Sequence, residues 1–387
     1  MHIGIPRELK DHEYRVAITP IGVRELTHAG HQVLIEQDAG TGSAIPDRDF
    51  ERAGARVLPS ADEVWGQSDL LLKVKEPIAE EFGRLRKDQV LFTYLHLAAS
   101  AEVTSALASA GTTAVAYETV ELPDGRLPLL APMSEVAGRM APQVGAHLLE
   151  REQGGRGVLM GGVSGVGAAK VVVFGGGMAG QNAAWIAAGM EAEVTLLDTS
   201  VDKLRYVDSI HKGRIVTLMS NRSTVEDLIR AADLAIGAVL IPGARAPRLV
   251  SREMVSEMKA GSVLVDISID QGGCFETSHV TTHSDPTYVV SDVVHYCVGN
   301  MPGAVPHTST YALTNVTLPY VLQIAAHGLE AAVRTDPALA KGVNVYQGEL
   351  CYQPVAEAHG MEWRPLADLL PDLLPGGVAK GGRKGDG

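Results

Sequence analysis

The stretch AKVVVFGGGMAGQNAAWIAAGMEAEVTLLD, residues 169–198, decides the reading of this chain. It opens on a short β-branched run, VVVF (171–174), and passes through Gly175, Gly177 and Gly180 in the spacing G-x-G-x-x-G. An alanine-rich helical pattern follows, and a second apolar run closes on Asp198. Such triplets arise easily in a chain with 42 glycines, so the spacing alone says little. The order strand, turn, helix, strand says much more.

Each glycine meets a separate demand. Gly175 permits the tight turn, Gly177 lets the backbone approach a pyrophosphate, and Gly180 lets the helix pack closely on the sheet. Asp198 then stands where a carboxylate accepts from both adenosine-ribose hydroxyls. A 2′-phosphate would be repelled there, so NAD is favoured over NADP.

Outward from this stretch the same rhythm continues. VTLLD (194–198), IVTL (215–218), LAIGAV (234–239), SVLVDI (262–267) and YVVSD (288–292) read as strands of a doubly wound unit. Before it, HIGI (2–5), VLIE (33–36), LLLKVK (70–75), VLFTY (90–94) and TAVAYE (113–118) alternate with helical patterns and predict a second parallel sheet. Thr19 as N-cap, Pro20 at the first helical position and Gly30 at the end delimit one of those helices. A long helix is expected from Pro132 to about Glu152, closed by the glycine-rich 154–167, and another from Ser309 to Arg334. The Gly/Lys-rich C-terminal tail is expected to be mobile.

At 387 residues two domains are expected. A formal charge of −13, with basic residues gathered only loosely around Lys380, Arg383 and Lys384, argues against nucleic acid as a partner. No window approaches a membrane span, and a cytoplasmic protein is expected. The cysteines Cys274, Cys297 and Cys351 are odd in number, far apart and form no CxxC pair, which points to a reducing compartment and to neither a disulfide framework nor a zinc site.

The whole chain resembles the alanine dehydrogenase family, whose relatives include the NAD-binding subunit of proton-translocating transhydrogenase. The resemblance rests on GIPRELKDHEYRVAITP (4–20), LLLKVKEP (70–77), LFTYLHLAA (91–99), LLAPMSEVAGRMAPQVGA (129–146), VDISIDQGGCFE (265–276) and CVGNMPGAVPHTSTYALTN (297–315). It implies two Rossmann-like doubly wound α/β domains joined by long helices. Residues 1–128 and 307–387 would form a discontinuous substrate domain and 129–306 the NAD domain. It also implies a homohexamer acting on L-alanine, pyruvate and ammonium.

Oxidative deamination needs cations for a carboxylate, a group that handles protons, and a nicotinamide facing the α-carbon. Arg15 offers a fork for a carboxylate and Lys75 a point charge, and the resemblance places both on the substrate. From the residues alone Arg15 can instead pair with Glu8 or Glu13 at the surface, and Lys73, two positions earlier on the same face, competes with Lys75. His96 follows an apolar strand, where a histidine's near-neutral titration suits proton exchange, although a histidine beside a strand is often structural. Asp270 lies past VDISI at a strand's carboxyl end, able to activate water or balance charge developing on nitrogen. Asp266 competes, because strand alternation puts Asp266, Ser268 and Asp270 on one face. The resemblance makes His96 and Asp270 catalytic and leaves open which one moves the key proton.

By the same resemblance Ser134, Met178, Lys203, Ser220, Val239, Leu240, Ile267, Asp270, Val298, Asn300 and Met301 line the cofactor, and Tyr94 and Met133 the substrate. The chain departs from the family pattern at His279, where arginine is common near the phosphates, and at His307 in the VPxTS segment. Gln323, one helical turn from His327, replaces a glutamate that serves magnesium in some relatives, so no metal is expected. His279 and His283 lie at helical spacing but among Gly, Ser, Thr and Pro, which reads as a solvated loop. The competing functions are a dehydrogenase of another small amino acid, which one methylene of pocket size separates by only about 1 to 3 kcal/mol, a transhydrogenase-like hydride donor, and a nucleotide sensor without turnover.

Overall fold

The computed structural model describes residues 1–239 and 246–370. Contacts divide the chain into two compact units, Met1–Pro132 with the chain from Val305 onward, and Met133–Ala304. The first division falls inside the helix Ala131–Leu148. Leu240 and the tail with Lys380, Arg383 and Lys384 lie outside the described residues.

The first unit holds strands β1 (His2–Ile5), β2 (Gln32–Glu36), β3 (Arg56–Leu58), β4 (Leu70–Leu72), β5 (Val90–Thr93) and β6 (Thr113–Ala116). Two further strands come from the end of the described chain. The second unit holds β7 (Lys170–Phe174), β8 (Glu193–Asp198), β9 (Ile215–Met219), β10 (Leu234–Gly237), β11 (Val263–Asp266), β12 (Thr287–Val290) and β13 (Val293–Tyr296), and the first unit is completed by β14 (Val343–Tyr346) and β15 (Glu349–Leu350).

In the first unit the order is β15-β14-β6-β5-β4-β1-β2-β3. All pairs from β6 to β3 are parallel, while β14 joins β6 antiparallel and β15 joins β14 antiparallel. The chain leaves β1 in one direction to β2 and β3, then crosses back to β4, β5 and β6. That reversal beside β1 is the topological switch point at which open α/β sheets gather ligands beyond the carboxyl ends of their strands. The second unit repeats the plan in the order β12-β13-β11-β10-β7-β8-β9, reversing beside β7, with only β12 antiparallel.

Near-continuous apolar runs explain why these strands are central: β4 and β6 are buried along their whole length, as parallel strands covered on both faces must be. Helix Pro20–His28 starts where its cap residues place it, with the Thr19 hydroxyl accepting from the Gly22 amide and Gly30 at φ 85° just past the end.

Several strands end earlier than their apolar runs. β4 stops at Leu72, so Lys73 and Lys75 lie in the loop after it and not on the strand. β6 stops at Ala116, and Tyr117–Thr119 is a 3-10 turn. β12 stops at Val290, because Ser291 and Asp292, at φ 51° and 60°, make the two-residue hairpin that leads into β13. β11 stops at Asp266 and Ile267–Gln271 is a 3-10 helix, which overturns the strand alternation expected for Asp266, Ser268 and Asp270. The long helix ends at Leu148, four residues short of Glu152, and the helix expected over 309–334 is two helices, Pro306–His327 and Leu329–Thr335, broken at Gly328.

Candidate active site

Four loops leave the carboxyl edge of the first sheet carrying charged side chains. After β1 comes Arg15, 2% exposed, gripped by Glu13 through Nε–Oε1 and Nη2–Oε2 contacts, both of 2.6 Å. The Glu13 pairing weighed for Arg15 therefore exists, but it is buried and not on the surface. Burial raises the Glu13 pKa, yet the hydrogen bond and charge of Arg15 outweigh it and bring it below the ordinary value.

The loop after β4 separates the two lysines. Lys73 is 1% exposed and neutralised twice, by Glu8 at 3.0 Å and Glu81 at 2.9 Å. Glu8 also accepts from the Val74 amide and Glu81 from the Ile78 amide, so this triad pins the loop at both ends. The Lys75 carbonyl accepts from Thr93 Oγ1 at 3.0 Å, while its ammonium makes no hydrogen bond or ion pair with any described residue. Burial pushes its ammonium pKa down, and the Arg15 charge adds to the effect. Glu76 takes Lys10 on Oε1 and keeps a buried Oε2 without a hydrogen-bond partner among the described residues. The unpartnered cation near Arg15 is Lys75, and Lys73 is structural.

After β5, Tyr94 is buried and donates to the Leu129 carbonyl at 2.6 Å. His96 is exposed, stacked on Tyr94 at 6.0 Å between centroids, and held at φ 48°, ψ 36°. After β6, Glu118 accepts from the backbone amides of Leu95 and His96. Sequence reasoning missed Glu118. The available signal was position: an acid placed just where an apolar strand ends at the ligand-binding edge.

The carboxyl edge of the second sheet carries the glycine turn. Gly175 has φ 102°, and a Cβ there would stand 2.6 Å from the Ala238 carbonyl oxygen. A Cβ on Gly180 would stand 1.7 Å from the Gly175 oxygen, whereas one on Gly177 would meet no described residue within 4 Å. Gly177 caps the helix Met178–Gly189 without a side-chain cap, which leaves its first amides aimed outward with the positive end of the helix dipole. Asp198 ends β8, accepting from the Gly176 amide at 2.7 Å, the Ser200 amide at 2.7 Å and Lys203 Nζ at 3.4 Å. These features fit a dinucleotide: an open backbone turn for phosphates and a fixed carboxylate at the adjacent strand end.

The other cofactor candidates of this unit follow its strand ends. Ser220 follows β9, its amide bonded to the Asp198 carbonyl, and Val239 follows β10. Val298, Asn300 and Met301 follow β13, with Asn300 at φ 65°. Met178 is half exposed at the helix start, and Met133 and Ser134 lie in the first turn of Ala131–Leu148.

Asp266 and Asp270 are now distinguished. Asp266 is fully buried, accepting from Ser278 Oγ at 2.6 Å and from the Cys274 and Ser268 amides, and burial pushes its pKa up to about 6. Asp270 is exposed on the 3-10 helix with Ile267, and its Oδ1 lies 3.0 Å from where a Cβ on Gly299 would stand. Only Asp270 is open to a ligand.

At the departures, His279 stacks on Tyr288 at 3.7 Å, His283 Nε2 meets the Asn300 carbonyl at 3.1 Å, and His307 Nδ1 the Ser43 carbonyl at 2.9 Å. Gln323 donates to the Ala332 carbonyl and Thr335 Oγ1, so its amide is used inside its own helical layer. Among the described residues no three His, Cys, Asp or Glu side chains cluster as a metal site.

Two doubly wound parallel sheets, one with this turn, define a nucleotide-binding protein of Rossmann type. Models of the alanine dehydrogenase/PNT N-terminal and C-terminal domains match residues 4–137 and 141–353. An alanine dehydrogenase of Mycobacterium tuberculosis is 60% identical over 370 residues, 96% of this chain and 100% of the relative, and one of Methanococcus maripaludis is 53% identical over 371 residues, with the same shares covered. A solved L-alanine dehydrogenase matches with TM-score 0.91 and 52% identity over 93% of this chain and 99% of its own. A transhydrogenase from Sinorhizobium meliloti matches with TM-score 0.78 and 27% identity over 91% and 99%. The chain belongs to the alanine dehydrogenase/PNT family.

Proposed function

We propose that this chain is an NAD-dependent L-alanine dehydrogenase, which converts L-alanine, NAD and water to pyruvate, ammonium, NADH and a proton, reversibly. The observation that carries the reading is the unneutralised Lys75 ammonium beside the buried Arg15, on a loop pinned by its neighbour Lys73. Together with relatives at up to 60% identity over the whole matched length, it favours a small carboxylate as substrate.

Arg15 and Lys75 hold the substrate carboxylate, the guanidinium by direction and the ammonium by charge. Arg15 is oriented by Glu13 and does not search for its geometry when substrate arrives. Tyr94, fixed by its bond to Leu129, and Met133 are the further candidates for the substrate.

The Gly175–Gly180 turn and the Met178 helix terminus would hold the cofactor's pyrophosphate, and Asp198 its adenosine ribose. Ser134, Lys203, Ser220, Val239, Ile267, Val298, Asn300 and Met301 would complete its surroundings. When bound, the nicotinamide accepts the hydride of the α-carbon. His96 takes a proton from the amine nitrogen or from the attacking water, and Asp270 steadies positive charge on nitrogen and draws water toward the iminium carbon. Asp198 favours NAD, since a 2′-phosphate would meet its carboxylate.

The protein is cytoplasmic and works as a homohexamer in L-alanine catabolism, with small molecules as its partners. Among the described residues no helix is long and apolar enough to cross a membrane. The transhydrogenase-like alternative assigns no use to Lys75 and His96.

The test is reduced-cofactor formation at alkaline pH with L-alanine beside L-serine, L-2-aminobutyrate, L-valine, glycine and D-alanine. Preference for L-alanine with NAD, abolished by His96→Ala or Asp270→Asn, supports the reading. Activity on a different acid alone changes the substrate, and none on any acid favours a binding role.

A further inference from the structure

We propose that Glu118 is a positioning residue for His96, holding the histidine's backbone in a left-handed conformation so that the imidazole stands out for proton transfer. The inference rests on the reading that His96 moves a proton.

β5 and β6 are parallel neighbours in register, Thr93 opposite Ala116. Two residues beyond each lie Leu95 and Glu118. The Glu118 carboxylate accepts from the Leu95 amide through Oε1 at 3.1 Å and Oε2 at 3.2 Å, and from the His96 amide through Oε1 at 2.7 Å. Two consecutive amides converging on one half-buried carboxylate form a concave anion nest in the backbone. Here the protein fills the nest with its own anion.

The conformation so held is one that residues with a Cβ avoid: His96 has φ 48° and ψ 36°. From there the chain turns at once into the 3-10 turn Leu97–Ala99, with the Ala99 amide bonded to the His96 carbonyl at 2.9 Å.

A histidine used for proton transfer normally has one ring nitrogen tied to an orienting partner. Among the described residues neither ring nitrogen of His96 has one, and no bond joins Glu118 to the ring. Its placement rests on the stacked Tyr94 ring and on the backbone that Glu118 grips. Glu118 thus does through the main chain what an orienting carboxylate does elsewhere through the imidazole.

The experiment compares wild type, Glu118→Gln, Glu118→Ala and His96→Ala as full-length proteins. It measures kcat and KM for L-alanine and hydrogen exchange of the peptide covering 95–99. Gln keeps one acceptor oxygen, so it should retain part of the effect. In Glu118→Ala we expect kcat to fall about tenfold or more while KM for L-alanine stays within about threefold, because Arg15 and Lys75 are untouched. The 95–99 amides should exchange about tenfold faster with the rest of the first unit unchanged. Glu118→Gln should fall between wild type and Ala, and it decides the matter if Glu118→Ala does not fold.

Wild-type kcat in the folded variants, or a loss of kcat with unchanged exchange at 95–99, overturns the role of Glu118. Full activity in His96→Ala overturns instead the reading on which it rests. An inactive His96→Ala beside fully active Glu118 variants refutes Glu118 alone.

Discussion

At the scale of single residues, the two lysines of LLLKVKEP show how burial and neutralisation divide one motif between structure and function. Lys73 sits between Glu8 and Glu81 with almost no exposed surface. Lys73→Ala would leave two buried carboxylates facing each other, and removing one partner of a buried pair typically costs about 3 to 5 kcal/mol. A fall of roughly 10 °C in melting temperature, followed by calorimetry, is the expected result.

Lys75→Ala should leave melting nearly unchanged and raise KM for L-alanine and pyruvate by about tenfold or more. Its lowered pKa has a sign that can be tested: burial favours the neutral amine, so the charge that holds the carboxylate is lost at a lower pH than for an ordinary lysine. KM for pyruvate should begin to climb below the usual lysine range as pH rises, and Lys75→Arg should remove that climb. A KM that is flat up to that range would show that Lys75 does not hold the carboxylate.

At the scale of elements, the glycine turn and the strand ends carry the argument. Gly180 is irreplaceable on geometric grounds, since its Cβ would fall on a backbone oxygen of Gly175. Gly180→Ala should shift the helix Met178–Gly189 and destabilise the second unit by about 3 kcal/mol, with weaker NAD binding by titration of the protein with cofactor. Gly177→Ala meets no atom of the described residues within 4 Å, so it should keep wild-type stability and lose only cofactor affinity. Equal melting losses in both variants would refute the division of labour between these glycines.

Asp266, at the end of β11, gives a second test. Its folded pKa of about 6 exceeds the ordinary carboxyl value, so the protonated acid favours the fold. That contribution is fully present below the unfolded pKa and is lost as pH rises through the folded one. It amounts to about 3 kcal/mol across the window from roughly pH 4 to pH 6. Asp266→Asn should flatten the dependence of melting temperature on pH in that window.

For the whole molecule, what was legible was the plan and most of the candidate site. Alternating apolar runs implied two parallel sheets because strands covered on both faces must be apolar throughout. The short strand Arg56–Leu58 was not legible, nor was the pair that closes the first sheet from the far end of the chain, Val343–Tyr346 and Glu349–Leu350. Arg56–Leu58 and Glu349–Leu350 are too short to carry periodicity, and polar Asn344 interrupts the apolar run of Val343–Tyr346.

By itself the sequence determined the dinucleotide turn, since glycine spacing, the following helix and Asp198 are local and read in order along the chain. It also offered the candidate charged groups for a substrate: Arg15, Lys73 or Lys75, His96, and Asp266 or Asp270. Only the tertiary structure decided which of two similar residues is free to act. Lys73 and Lys75, and Asp266 and Asp270, differ not in chemistry but in what distant segments bring to them: Glu8 and Glu81 to one lysine, Ser278 and the Cys274 amide to one aspartate. Glu118 meets the His96 backbone for the same reason. Residues 22 positions apart become neighbours only when two parallel strands align, and no local pattern encodes that pairing.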